Sequence, residues 1–228
     1  MLKEVVKKND DSMRQDALAT REALLDAAEY LFTQQGHDAT SLRQITTRAQ
    51  ANLAAVNYHF GNKEGLIEAV FKRRLEILNQ ERLLRLEALE QQAKQTGEPI
   101  KASAIVDAFF GTLIRIANEG NDAAWSLLER SMMDPAQFTR TLFAEECAEV
   151  LERYKQALFK ALPHVPHEEI VWRFQFMLGA TAFALSGTHA LREVLGLEQS
   201  AAEDPTQAAE RLLPRLMAFL LGGLRAPL

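Results

Sequence analysis

The chain has 228 residues, of which 47% are hydrophobic and 25% charged, enough for a small module plus a larger body with its own core. Its net charge of −5 excludes a surface coated in cations for general nucleic-acid binding, so any contact with DNA has to be local and geometrically placed. One cysteine, Cys147, excludes an internal disulfide framework and a cysteine-rich zinc site; a buried thiol in a reducing cytoplasm is the expected state.

Residues 1–16 mix Lys3, Lys7 and Lys8 with Glu4, Asp10 and Asp11 and carry no helical apolar stripe, so a mobile lead is expected rather than a secretory signal. From Ala17 to Gln35, Leu24, Ala28, Leu31 and Phe32 keep a helical spacing, and Gly36 ends the run. Thr40 then suits an N-cap, and Leu42, Ile45 and Ala49 mark the inner face of a short second helix, with Arg43 and Thr47 facing outward. After the turn at Gln50 and Ala51, Asn52 can cap a third helix in which Val56 and Phe60 point inward. Leu53, Ala54, Asn57, Tyr58 and His59 are left at its outward face or margin. Two short helices joined by a tight turn form the helix-turn-helix, whose second helix enters the major groove. Between Ala39 and Lys63 the cations Arg43, Arg48 and Lys63 meet no acid, in a chain with 26 basic and 31 acidic residues.

Asn62 caps a long helix that starts at Lys63 and runs to about Ala93, and the break from Gln95 to Pro99 closes it. Further helices are predicted over 102–118, 122–133, 135–162, 166–195 and 205–221, with no strand. The apolar run from Phe174 to Leu191 is interrupted by polar residues, so no membrane span is expected. The fold class is therefore all-α: a helix-turn-helix domain over 17–74, its motif at about 41–60, followed by a larger helical domain over 75–228.

The set Thr40, Ser41, Ile45, Ala49, Tyr58, His59, Phe60, Lys63 and Leu66 resembles the N-terminal domain of the TetR/AcrR-type transcriptional regulators, over about 17–74. The segment Trp172 to Val194 is similar to the penultimate helix of the PsrA-like branch, whose members respond to fatty acyl ligands. The resemblance implies an all-helical homodimer, usually a repressor released by a small molecule. On its positions, Tyr58, His59 and Lys63 match phosphate contacts, while Arg43, Leu53, Ala54, Ala55 and Asn57 match places near base edges. Thr40, Ser41 and Thr47 complete the expected DNA-binding set. The chain departs from the family at Gln50, where a turn glycine is usual, and at Asn57, where a tyrosine is common. A positive φ at Gln50 would carry strain.

In the larger domain Phe109, Phe110, Leu113, Trp125, Leu128, Met132 and Phe176 are candidates to line an effector pocket, although the same residues at helical spacing also suit a plain core. Arg115 and Arg130 could meet an anionic head group or be internally paired. Gly179, Phe183 and Gly187, with Leu212, Leu216, Phe219 and Leu220 of the final helix, are candidates for a dimer interface. The expected partners are palindromic operator DNA, a small apolar or acyl effector and a second copy of the chain. His164, His167, Glu168 and Glu169 form a weak metal signal that helix-dipole chemistry explains as well, so no metal, cofactor or enzymatic activity is expected. A DNA-binding structural protein without an effector is the alternative on the same scaffold.

Overall fold

A computed structural model describes residues 2–118, 137–186, 196 and 205–227, and no strand occurs among them. The helices are α1 (Leu2–Ala39), α2 (Leu42–Arg48), α3 (Leu53–Phe60), α4 (Lys63–Thr96), α5 (Ala102–Val106), a π turn (Asp107–Gly111), α6 (Thr112–Asn118), α7 (Gln137–Ala161), α8 (His167–Ser186) and α9 (Pro205–Leu224). The helix predicted over 122–133 lies outside the described residues. Contacts divide the chain into two units, Met1–Arg73 and Arg74–Leu228. None of the described helices is long and apolar enough to cross a membrane.

In the smaller unit, Leu24, Leu25, Ala28 and Phe32 of α1 are buried with Ile45 of α2, Val56 of α3 and Leu66 and Val70 of α4. Residues 2–16 are helical and continuous with the packed part of α1; the stretch holds neither glycine nor proline, so nothing in the backbone stops the helix there. Gly36 interrupts the regular helix where the sequence places its end, at φ 80 and ψ 159, a region essentially reserved to glycine. The turn before α4 depends on a second glycine: a Cβ on Gly65 would stand 2.1 Å from the Phe60 carbonyl oxygen.

In the larger unit, one core joins Leu78 and Leu86 of α4, Ile105 of α5, Phe109 and Phe110 of the π turn, Cys147, Tyr154 and Leu158 of α7, Ile170, Phe174 and Met177 of α8, and Leu216 and Leu220 of α9. The Phe109 ring lies 4.8 Å from Phe110, 5.0 Å from Tyr154 and 5.1 Å from Phe174, centroid to centroid. Edge-to-face rings at these distances gain a little beyond their buried area.

Candidate functional site

The corner between α1 and α2 decides what the smaller unit presents to solvent. Ser41, not Thr40, is the N-cap of α2: its Oγ accepts from the Gln44 backbone N–H at 3.3 Å, and its own N–H donates to Gln44 Oε1 at 2.8 Å. Thr40 is buried, its hydroxyl donating to the Gly36 carbonyl at 2.7 Å and accepting from Gln35 Nε2 at 3.2 Å. It holds the kinked corner and is unavailable to DNA. The sequence points to Thr40 as the cap, and the kink at Gly36 turns that hydroxyl inward and leaves the capping to Ser41.

Asn52 caps α3 by accepting from the Ala55 N–H at 2.8 Å, and Asn62 caps α4 by accepting from the Gly65 N–H at 2.8 Å. The turn between α2 and α3 carries Gln50 at φ 53, the one described non-glycine residue with a positive φ. Strain at that site is therefore built in. Arg21 of α1 lies over the Phe60 ring at 5.5 Å, and Arg48 of α2 lies over Tyr30 at 3.5 Å. Arg48 thus braces α2 against α1.

With those residues committed to structure, Ser41, Arg43, Thr47, Leu53, Ala54, Asn57 and Tyr58 are exposed, while Ala55, His59 and Lys63 are half-buried. Tyr58 is 81% exposed, a large aromatic side chain held out in water with its ring 4.9 Å from that of His59. The exposed part of the predicted set therefore offers one guanidinium, one carboxamide, one phenol, two aliphatic hydroxyls and small apolar groups. Sequence reasoning missed the part of Gln44, whose three-residue spacing from Ser41 is the signal of a capping box.

In the larger unit the candidate pocket residues separate. Phe109, Phe110 and Leu113 come together but are packed core, whereas Phe176 is 65% exposed on the outer side of α8. Phe174 and Met177 occupy the inner side of α8, so Phe176, two residues from Phe174, points away. Trp125, Leu128, Met132 and Arg130 lie outside the described residues. Arg115 is paired with Asp107, its Nη2 3.1 Å from Oδ2. Of the interface candidates, Leu216 and Leu220 are core residues of their own chain because they face α8 and the π turn; Leu212 is half-buried, and Gly187 is outside the described residues. Gly179, Phe183 and Phe219 are exposed. Trp172 and Phe176 precede Gly179 and Phe183 on the same helical stripe of α8. His167 stacks on Phe159 with centroids 3.8 Å apart, and Glu169 accepts from Arg173 Nε at 2.7 Å, so both have structural partners.

The larger unit also holds a polar cluster that sequence reading overlooked. Arg82 is 3% exposed; its Nε donates to the Phe109 carbonyl at 3.1 Å, its Nη1 to Asn79 Oδ1 at 3.4 Å, and its guanidinium carbon lies 3.7 Å from the Phe109 ring centre. Tyr154 donates its hydroxyl to the Arg82 carbonyl at 2.7 Å, and Asn79 Nδ2 donates to the Glu146 carbonyl at 2.8 Å. Burial lowers the Arg82 pKa to about 10 and raises those of the Cys147 thiol and the Tyr154 phenol. The signal was present: Arg82 occupies an apolar register, four residues after Leu78 and four before Leu86.

Residues 24–70 match the family described as bacterial regulatory proteins, tetR family, and residues 107–223 match the one described as tetracyclin repressor-like, C-terminal domain. The chain is 37% identical over 87 residues to the HTH-type transcriptional regulator AcrR of Shigella flexneri, which covers 38% of each chain. The curated relatives it matches are spanned over less than half of their own length. Among solved structures, the fatty acid degradation regulator FadR from Bacillus halodurans has a TM-score of 0.62 at 14% identity, covering 91% of this chain and 97% of that one. SmeT of Stenotrophomonas maltophilia, in its triclosan complex, has a TM-score of 0.55 at 20% identity, covering 88% and 91%. At these identities the likeness shows the fold.

Proposed function

The chain belongs to the TetR family of bacterial regulatory proteins, and from that premise we propose that it is a homodimeric, sequence-specific DNA-binding repressor, released from its operator by a small effector held in the larger unit. The observation that carries this reading is the outward set of α2 and α3: two capped helices offering Arg43, Thr47, Ala54, Asn57 and Tyr58 from a segment without acids. Arg43 can pair two-pronged with guanine and Asn57 with adenine, and Leu53 and Ala54 suit a thymine methyl. Ser41, Tyr58, His59 and Lys63 set register on phosphates, and Ala55, half-buried, lies at the margin of the groove-facing surface.

Dimerisation through α8 and α9 is supported by the stripe of Trp172, Phe176, Gly179 and Phe183 and by Phe219, an apolar face left in water by a single chain. Two-fold symmetry then requires a roughly palindromic operator with half-site centres one helical turn apart or a multiple of it. An acyl effector is favoured by the resemblance of the α8 segment to the PsrA-like branch and by the fold shared with a fatty acid degradation regulator. Induction is a ligand-biased shift between one conformation whose recognition helices fit the operator and another whose helices do not.

The test is operator binding as a function of salt and sequence. Tyr58→Ala weakens binding to all sequences alike and Arg43→Ala relaxes preference at one base position. Unaltered affinity and preference in both variants would overturn the reading. Sedimentation at micromolar concentration showing a monomer would overturn the dimer.

A further inference from the structure

Among the described residues, three other partly or fully enclosed arginines have their charge answered by an acid. Arg73 reaches Glu22, Asp26 and Glu29, Arg115 reaches Asp107, and Arg173 reaches Glu169. Arg82 is different. It is as buried as any of them, yet its acceptors are the Phe109 carbonyl and the Asn79 carboxamide, both neutral. Its titratable neighbours, Cys147 and Tyr154, are held in their protonated forms by burial, while Arg82 itself stays a cation at neutral pH. A charge removed from water without a counter-charge costs several kcal/mol by rough estimate.

Two further features lie in the same core. The Phe109 carbonyl that Arg82 holds belongs to the π turn, and π turns inside helical runs recur at functional sites. Thr181, 1% exposed and on the inner side of α8 with Phe174 and Met177, has a buried hydroxyl with no hydrogen-bond partner. Buried hydroxyls are normally satisfied, most simply by the carbonyl four residues back in their own helix.

We propose that Arg82 is the charge anchor of the effector site, taking the carboxylate of an organic acid whose apolar body enters by parting the packed Phe109, Phe110 and Phe174 rings. The inference rests on the reading that the larger unit binds an effector, and it narrows the class. A free acid places a full negative charge against the planar guanidinium. A coenzyme A thioester offers only a neutral carbonyl there and carries a phosphorylated head too polar to enter this core. Binding also reaches the DNA-binding unit through the chain itself, because Arg82 lies on α4, the helix that begins at Lys63. A carboxylate that competes for Arg82 Nε releases the Phe109 carbonyl and changes how α4 is tied to the π turn.

The experiment uses the full chain and matched probes: decanoate, decanol and decanoyl coenzyme A, and naphthoate against naphthalenemethanol. Affinity is read by melting shift and titration, and operator release is read in parallel. In wild type at least one acid binds at least about tenfold more tightly than its alcohol, and than decanoyl coenzyme A in the aliphatic set. Arg82→Gln brings that ratio to near unity, and Arg82→Lys, which keeps charge but loses the planar fork, leaves an intermediate ratio. The intermediate value also serves if the glutamine variant does not fold. An alcohol or thioester that binds as well as its acid, a ratio unchanged in both variants, or no acid binding by a protein that binds its operator would overturn the anchor. Acid binding of the predicted selectivity by a protein without sequence-specific DNA binding would instead overturn the regulator reading and support the anchor.

Discussion

In the smaller unit Arg73 is shared among Glu22, Asp26 and Glu29 while Arg43 is turned to water; in the larger unit Arg82 is sealed in an aromatic core with neutral acceptors only. The first unit uses its internal charge to hold α1 to α4 and leaves Arg43 exposed. The second keeps a cation inside, out of reach of any described acid of its own unit. On the proposed reading, recognition of a long polyanion is a surface property and recognition of a small acid a property of the interior.

The largest expected effects test whether the units are separate cores. Ile45→Ala and Leu86→Ala each remove a fully buried side chain and should cost about 2–5 kcal/mol. Hydrogen exchange should show Ile45→Ala loosening α1 to α3 while α7 and α8 stay protected, and Leu86→Ala the reverse. Loss of protection in both units from either change would merge the two sides of the comparison.

Next come the two arginines themselves. Arg73→Met strips a charged hydrogen bond from buried Glu29 and should destabilise by about 2 kcal/mol in urea unfolding. Arg82→Met loses two hydrogen bonds but also removes an unanswered buried charge, so it should stay within about 1 kcal/mol of wild type. Equal losses would show that both cations are ordinary structural groups. Arg43→Ala should cost about 1–3 kcal/mol of discrimination at one base position, measured against operator variants, with no comparable loss of folding stability.

The smallest effects lie in the turn between α2 and α3. Asn52→Ala should cost about 1 kcal/mol through the lost cap, and Gln50→Gly should gain up to about 1 kcal/mol by relieving the positive φ, both read by thermal melting. A loss of stability in Gln50→Gly would mean that the glutamine side chain, not the backbone, decides that turn.

Legibility also differed between the units. The helix-turn-helix could be read because its signals are local: Asn52 and Asn62 cap the helices that follow them, and Val56 faces inward at the helical spacing. Even there, the sequence points to Thr40 as the cap where Ser41 serves, since the choice depends on the kink at Gly36 and on where Gln35 reaches. In the larger unit both sides of α8 are apolar, so periodicity did not distinguish inward Phe174 and Met177 from outward Trp172 and Phe176. For α9 the same ambiguity assigned Leu216 and Leu220 to an interface when they belong to the core. Arg82 was missed because a cation at an apolar register is read as a charge near a helix margin. Only the tertiary positions of Phe109, Asn79 and Tyr154 show that it is enclosed.

The central claim, that the outward face of α2 and α3 reads DNA sequence, is tested most directly by sequencing the genomic fragments retained by purified wild-type protein and by Arg43→Ala. Wild type should retain a small set of fragments sharing a two-fold symmetric site, and the variant should retain the same set with preference relaxed at one symmetric position. Retention without sequence preference, or identical preferences in the two proteins, would contradict it.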